Sequence, residues 1–421
     1  PNRARRLALR ALEWEVRRRA PHGPAPDGPL PVDARILAVQ PDHLGGVLAA
    51  TPAFRLIKET LPTCVLTVLA GPWGADAAEH CPAVDRVRTC RFPAFDRQAP
   101  PRGAIGRALS RLAPYERALS EAAPLRAERF DLSVVLVPDF WSSAVTALAG
   151  VPRRIGFEAP DAAPFLTLRR DLHAPPVGRA YRDAPREHGA AAQMRLARDV
   201  VGLAGRDVPS GFDGRMAYEP TAADRAAAVR LWRAHDLDDA SAVVALHPSP
   251  GGPSKRWSAE RWAVVANHVT GRFGARVMIT GGPGDVDEAR AIAGRCARGA
   301  VVLAGQTTFG ALAALLERCR FALGTDNGAM HLATARGTST LRLFGPVDAG
   351  IWSGWTGLGN GGPITISLAS PRVCSPCHRL DVPDWRVAAP GHGDTYPCMT
   401  DITVDHVVAA VERLWQETDG R

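Results

Sequence analysis

No apolar run in this chain approaches the ~20 residues of a bilayer-spanning helix, so no segment reads as one. The opening residues carry arginine throughout and lack the apolar stretch of a secretory leader, so a cytoplasmic setting is expected. Eight cysteines in 421 residues fall short of a disulfide scaffold. Lysine is scarce, while arginine, alanine, proline and glycine abound. A GC-rich genome produces that bias by itself, so the arginine count argues little for function. None of the recognised nucleic-acid motifs is present, and nucleic acid is not an expected partner.

What is present is a globular composition, 46% hydrophobic and 22% charged, in a chain long enough for two domains. The net charge of +8 suits an acidic ligand or an anionic surface. Seven arginines flank Leu7, Leu9, Leu12, Trp14 and Val16 between Asn2 and Ala20. This reads as a basic amphipathic helix, suited to peripheral contact with an anionic membrane or to packing on the protein's own surface. A Pro/Gly linker ends at Pro31.

Apolar strands then alternate with helices. Strands are expected at Arg35–Gln40, Cys64–Gly71, Val84–Phe92 and Leu132–Asp139, with helical or irregular chain over 105–129 and loops over 159–188. The pattern restarts at Ala242–Ser249 and closes on a helix over Thr403–Glu417. Such alternation predicts α/β architecture, with two doubly wound parallel sheets of Rossmann type. The expected divisions are 1–31, 32–210, 211–402 and 403–421. Ligands of such sheets bind at the carboxyl ends of the strands, here in a cleft between two facing units.

Four segments could carry chemistry. In "QPDHLGGVLAATPAF", Gly45 and Gly46 stand where the first strand should give way to a helix. The loop holds Asp42 and His43 but no other acid. In "HPSPGGPSKRW", Gly251 and Gly252 admit close backbone approach, Ser249 and Ser254 offer hydroxyls, and Lys255 and Arg256 offer charge, before a helix capped by Ser258. These parts suit a diphosphate, although the spacing is not that of a Walker loop. In "GTDNGAMHLA", Asp326 ends a strand and Gly328 opens a helix. Asp326 and Asn327 suit sugar hydroxyls or a plain helix cap, and His331 suits a ligand contact or packing. In "TGGPGDVDEA", Asp285, Asp287 or Glu288 could hold a ribose or simply face the helix dipole. A later segment spaces Cys374 and Cys377 as metal ligands. Cys398, with His378 or His392, could complete a structural zinc site; the plain alternatives are reduced cysteines or a disulfide.

From about Ala34 onward the chain resembles glycosyltransferase family nine, the lipopolysaccharide heptosyltransferase-like enzymes. The carriers are "PDHLGGVLAATPAFRLIKETLP", "HPSPGGPSKRW", "ITGGPGD", "GTDNGAMHLATARGTSTLRLFGP" and the closing cysteine segment. The resemblance implies a GT-B fold and inverting transfer from an ADP-heptose-like nucleotide-diphosphate sugar without a bound metal. The acceptor would be a glycan, a lipopolysaccharide core or a small metabolite. It implies that Lys255 meets the donor diphosphate, that Asp326 holds the donor sugar with Gly328, Ala329, Met330 and His331, and that Glu288 or Asp285 lies near the ribose. It implies that the last helix returns to the N-terminal domain. It also implies an aspartate where Gly46 stands, acting as the base toward the acceptor. Asp42 or His43 could replace it, another group could take the proton, or the protein could bind a sugar nucleotide without transferring it. A sugar-nucleotide epimerase of the same fold is a further reading.

Overall fold

The computed structural model describes residues 10, 14, 18, 25–96, 113–160, 162–172, 187–238, 242–359, 361–377 and 396–419. Except for Arg10, Trp14 and Arg18, the expected N-terminal helix lies outside them, as do His378 and His392. Among the described residues no helix is long and apolar enough to cross a membrane. The chain divides into two compact units. One comprises Pro1–His173 with Ala190–Gly214, and the other Ala174–Gly189 with Arg215–Arg421.

The first unit holds β1 (Arg35–Gln40), β2 (Val65–Ala70), β3 (Arg86–Thr89), β4 (Leu132–Val135), β5 (Arg153–Phe157) and β6 (Leu168–Arg170). They form a sheet in the order β3-β2-β1-β4-β5-β6, and every adjacent pair is parallel. β1 is buried from Ile36 to Gln40, and β4 along its whole length. Such continuous apolar strands are what a sheet covered on both faces requires. Leu37, Val39, Leu69 and Val135 meet Trp141, Ala144 and Val145 of the helix Phe140–Leu148 in one core.

The second unit repeats the plan with β7 (Val243–His247), β8 (Arg276–Ile279), β9 (Val301–Val302), β10 (Phe321–Thr325), β11 (Ser339–Phe344) and β12 (Thr365–Ala369). The order is β12-β11-β10-β7-β8-β9, again parallel throughout. Counted from its own first strand, this is the arrangement of the first unit. The strand order therefore reverses between β1 and β4 in one sheet and between β7 and β10 in the other. Loops at such a reversal splay apart and leave a crevice at the carboxyl ends.

Valines and leucines of β7, β8, β10 and β11 pack with Trp257, Trp262 and with Val407, Val411 and Leu414 of the closing helix Val404–Glu417. That helix belongs to the second unit, where its apolar stripe covers the unit's own sheet. The division between units falls at Gly214 and Arg215, and 174–189 groups with the second unit. Two strands fell where the sequence led us to expect loop or nothing, β6 and β12. Both are edge strands with half-exposed residues, so they lack the continuous apolar run of the inner strands.

Candidate functional site

In the first unit the loop after β1 is Pro41–His43, and α1 (Leu44–Thr60) starts immediately behind it. Gly45 and Gly46 therefore do not form a turn before the helix, as the sequence suggested. They occupy its first turn, because His43, extended at φ −72° and ψ 175°, is already the N-cap. The His43 side chain makes no capping hydrogen bond, and the first turn contains no acid. Buried Gln40 donates from Nε2 to the Gly46 carbonyl at 3.1 Å, which ties the end of β1 to that turn.

Asp42 reaches forward. Its Oδ1 accepts the His43 backbone N–H at 2.6 Å. A Cβ placed on Gly46 would lie 2.2 Å from Asp42 Oδ2 and 2.6 Å from Asp42 Cβ. The Asp42 carboxylate thus fills the side-chain space of residue 46, and only glycine fits beneath it. The loop after β2 holds the other side. Trp73 donates from Nε1 to the Pro41 carbonyl at 2.8 Å. Its indole meets the His43 ring edge-on, with centroids 5.4 Å apart. A Cβ at Gly74 would come within 2.6 Å of the Asp42 carbonyl oxygen, so this contact too depends on glycine. We did not single out Trp73 or Gly74 from the sequence. Their signal is positional: "GPWG" is the next strand-to-helix loop at the same sheet end.

In the second unit the loops after β7 and β10 meet at the reversal point. The Lys255 ammonium donates to the Asp326 carboxylate at 2.7 Å and to the Asp326 carbonyl at 2.8 Å. An ammonium has three protons, so one remains for a further acceptor. Both residues are buried, Lys255 at 9% and Asp326 at 6% exposure. Burial by itself would raise the Asp326 carboxyl, but Lys255 and His331 outweigh it and hold the group well below the usual carboxylate range. Asn327 caps α2 (Gly328–Ala335): its side-chain oxygen accepts the Met330 N–H at 3.1 Å, while its Nδ2 donates to the Ser249 carbonyl at 3.0 Å. One side chain therefore opens the helix and fastens the two loops together. Gly328 is half-buried at the positive end of that helix dipole, and Met330 is buried.

His331 does not face open space. It is 3% exposed, between Asp326 and the guanidinium of Arg342, which is wholly buried in β11. Arg342 Nη1 lies 3.4 Å from His331 Nδ1. A guanidinium only donates, so Nδ1 accepts and the ring proton sits on Nε2, 3.7 Å from Asp326 Oδ1. Burial, then Arg342, pushes the His331 imidazole down and keeps it neutral. Arg342 also donates to the Met330 carbonyl and to Thr334. With His331 neutral, Lys255, Arg342 and Asp326 carry two positive charges against one negative. An anion would balance this surplus. An arginine inside the apolar strand "TLRLF" was the available sequence signal for Arg342.

Three buried hydroxyls around these strand ends, on Ser249, Ser254 and Thr325, have no hydrogen-bond partner. Groups left so mark places where a ligand or water completes the bonding. Arg256 is exposed and faces half-buried Glu288 electrostatically; burial raises the Glu288 carboxyl and Arg256 opposes that rise. Asp285 instead accepts the Gly282 N–H at 2.7 Å and is engaged in its own turn. Asp287 is exposed. Ser258 caps the helix behind Trp257, as its position suggested, by accepting the Arg261 N–H at 3.4 Å.

Cys374 is exposed, Cys377 half-buried and Cys398 buried, the last thiol pushed up to about 11 by burial and by the other two. Among the described residues no group of three such side chains is arranged to hold a metal ion.

Two parallel sheets of Rossmann order, one with a net-positive pair of loops at its reversal point, define a protein of the GT-B class. The sequence pattern of glycosyltransferase family 9 (heptosyltransferase) matches residues 119–378, well over half of the chain, and the chain belongs to that family. Among curated relatives, lipopolysaccharide heptosyltransferase 3 of Escherichia coli is 32% identical over 116 residues, 27% of this chain and 34% of that protein. The chain thus spans about a third of the length of that relative. A family 9 glycosyl transferase from Veillonella parvula superposes with a TM-score of 0.69 at 20% identity, covering 93% of this chain and 100% of the other. An E. coli heptosyltransferase solved with ADP-2-deoxy-2-fluoro heptose superposes with a TM-score of 0.60 at 18% identity, covering 90% and 99%.

Proposed function

We propose that this protein transfers a heptose-like sugar, with inversion, from a nucleoside-diphosphate donor to a hydroxyl of a lipopolysaccharide-type saccharide. ADP-heptose is the expected donor, since family membership and the ligand named for the E. coli structure both point to it. The observation that carries the reading is the buried Lys255–Asp326 pair, which leaves one ammonium proton for a phosphate oxygen.

In this reading Lys255 and the start of α2 receive the diphosphate, and Arg256 adds charge from the rim. Ser249 and Ser254 are the hydroxyls that the ligand would satisfy. Asp326 holds sugar hydroxyls with the oxygen facing away from Lys255, and Glu288 takes the ribose. As the anomeric C–O bond breaks, negative charge builds on the departing diphosphate. Fixed positive groups in a dry site stabilise that charge strongly, so a bound metal is not needed for leaving-group departure.

The test is a thermal-shift series over ADP-, GDP-, UDP- and dTDP-sugars. A true donor at about 100 times its Kd stabilises the native state by about 2.7 kcal/mol. ADP-heptose should raise Tm most. A chain that no nucleotide sugar stabilises does not have this function.

A further inference from the structure

We infer that Arg342 is a positioning residue for donor binding: from inside β11 it fixes which nitrogen of His331 carries the ring proton and turns that proton toward Asp326. This role rests on the transferase reading above. Every residue in it belongs to the second unit.

An inner strand is a costly place for a charge. Leu341, Leu343 and Phe344 around it are buried, and Arg342 has no exposed surface of its own. The guanidinium donates from Nη2 to the Met330 carbonyl at 2.7 Å and to Thr334 Oγ1, and from Nε to Thr340 Oγ1 at 3.3 Å. Its Nη1 lies 3.4 Å from His331 Nδ1. These partners are a carbonyl, two hydroxyls and a ring nitrogen, not a carboxylate. A buried charge without an opposite charge in contact destabilises, and an apolar side chain of similar volume is often at least as stable. The fold nevertheless makes room: a Cβ on Gly354 would stand 3.0 Å from Arg342 Nη2. Stability alone therefore does not account for an arginine here. The carboxylate that acts on it is that of Asp326, on the other side of His331.

The geometry gives Arg342 two effects on the pocket. First, Nδ1 of His331 can accept from a guanidinium only when the ring is protonated on Nε2 alone. Nε2 stands 3.7 Å from Asp326 Oδ1, while Lys255 holds Oδ2 at 2.7 Å. The two carboxylate oxygens thus face different donors, and that orients the carboxylate. Second, Arg342 sets the charge. The groups facing His331 are Arg342 from β11, Asp326 from the end of β10 and Lys255 from the loop after β7. His188, just ahead of the helix Gly189–Leu203, is itself pushed down to about 4, chiefly by burial. Burial and Arg342 outweigh Asp326 at His331 and keep the ring neutral. Arg342 therefore supplies a positive charge that stays constant through neutral pH, where a histidine's charge comes and goes. Through Met330 and Thr334 the same guanidinium also grips α2, whose start receives the diphosphate in that reading.

The experiment is calorimetric titration with ADP-heptose between pH 5.5 and 8, a range in which its doubly esterified diphosphate does not titrate. The wild type should bind with an affinity that is flat with pH. Arg342→Gln removes one buried charge and should bind roughly tenfold more weakly at pH 8. Without Arg342 the His331 ring moves up toward an ordinary imidazole, so part of the loss should return toward pH 5.5 as imidazolium replaces the guanidinium charge. Arg342→Gln combined with His331→Gln should bind weakly at every pH. Nitrogen-15 NMR of the wild-type histidine rings, with His331→Gln supplying the assignment, should show the Nε2–H form at pH 7. A ring protonated on Nδ1 or on both nitrogens overturns the role, even if Arg342→Gln does not fold. An Arg342→Gln protein that binds as the wild type does also overturns it. So does a loss that is equal at pH 5.5 and 8, which is what support of α2 by packing alone would give. A wild type that binds no nucleotide sugar overturns the transferase reading and this role together, whereas the other failures, in a protein that binds donor, overturn this role alone.

Discussion

Replacing Lys255 by methionine tests the electrostatic heart of the second unit. The side chain keeps its length and loses its charge. Asp326 then stays 6% exposed without the ammonium that contacts it at 2.7 Å. Breaking a buried pair from one side costs about 3–5 kcal/mol, because a charge is left uncompensated. The pH dependence carries more information. In the wild type the Asp326 carboxyl is held below the usual range, so its contribution is complete above the unfolded value of about 3.9 and is lost only as pH falls below that. Without Lys255 the largest remaining influence is burial, which raises the carboxyl. The folded variant then binds a proton more readily than the unfolded chain, so its deficit shrinks as pH falls from 8 toward 5. Asp326→Asn leaves the Lys255 ammonium buried without its carboxylate and should cost a similar amount. Urea unfolding of the three proteins at pH 5, 6, 7 and 8 measures both deficits and the slope of the first. A Lys255→Met deficit under about 1 kcal/mol and flat with pH would mean the pair behaves as a solvent-exposed bridge, and the account of the site would fail.

Two further outcomes follow from the same loops. The His247 imidazole is pushed down to about 4 by burial and bonds Thr280 Oγ1 at 2.9 Å. Its folded value lies below the unfolded value of about 6.5, so stability is full above that pH and falls by roughly 3 kcal/mol toward pH 4; His247→Gln should flatten that window in urea titrations. Ser254 is wholly buried with an unbonded hydroxyl. Ser254→Ala should therefore leave the ligand-free protein as stable or up to about 1 kcal/mol more stable, while weakening the donor-induced thermal shift; a loss of stability with an unchanged shift would contradict its assignment to the ligand.

The alternation of strands and helices was legible because inner strands of a parallel sheet must be apolar on both faces. "RILAVQ" became β1 residue for residue. β12 ("TISLA") and β6 ("LRR") carry no such signature, since an edge strand is half-solvated. Lys255 was legible in a strand-to-helix loop and Asp326 at a strand end, but their pairing was not, because they stand 71 residues apart in the chain. His331 illustrates a different limit. Its place in the first helical turn is consistent with either face, and the buried Arg342 on a later strand decides which one it takes. Gly46 is the sharpest case. The sequence shows a glycine where an acid is expected, and nothing in it says that the carboxylate four residues earlier folds forward into that space.

The choice of lysine at 255 has its own logic. The chain has 51 lysines and arginines together, and Lys58 and Lys255 are the only lysines among them. Lys58 joins Asp85 in an exposed bridge. At 255 the ammonium places three donors on a single atom, two directed at Asp326 and one left over. A guanidinium is planar, and its paired N–H groups match one carboxylate two at a time. Lys255→Arg should therefore keep the ion pair, with a packing penalty of about 1–3 kcal/mol, yet lose affinity for the donor diphosphate. Urea unfolding reads the first effect and the donor-induced thermal shift reads the second. If the arginine variant bound donor as the wild type does, positive charge alone would suffice at this position, and the third proton of Lys255 would have no special part in holding the phosphate.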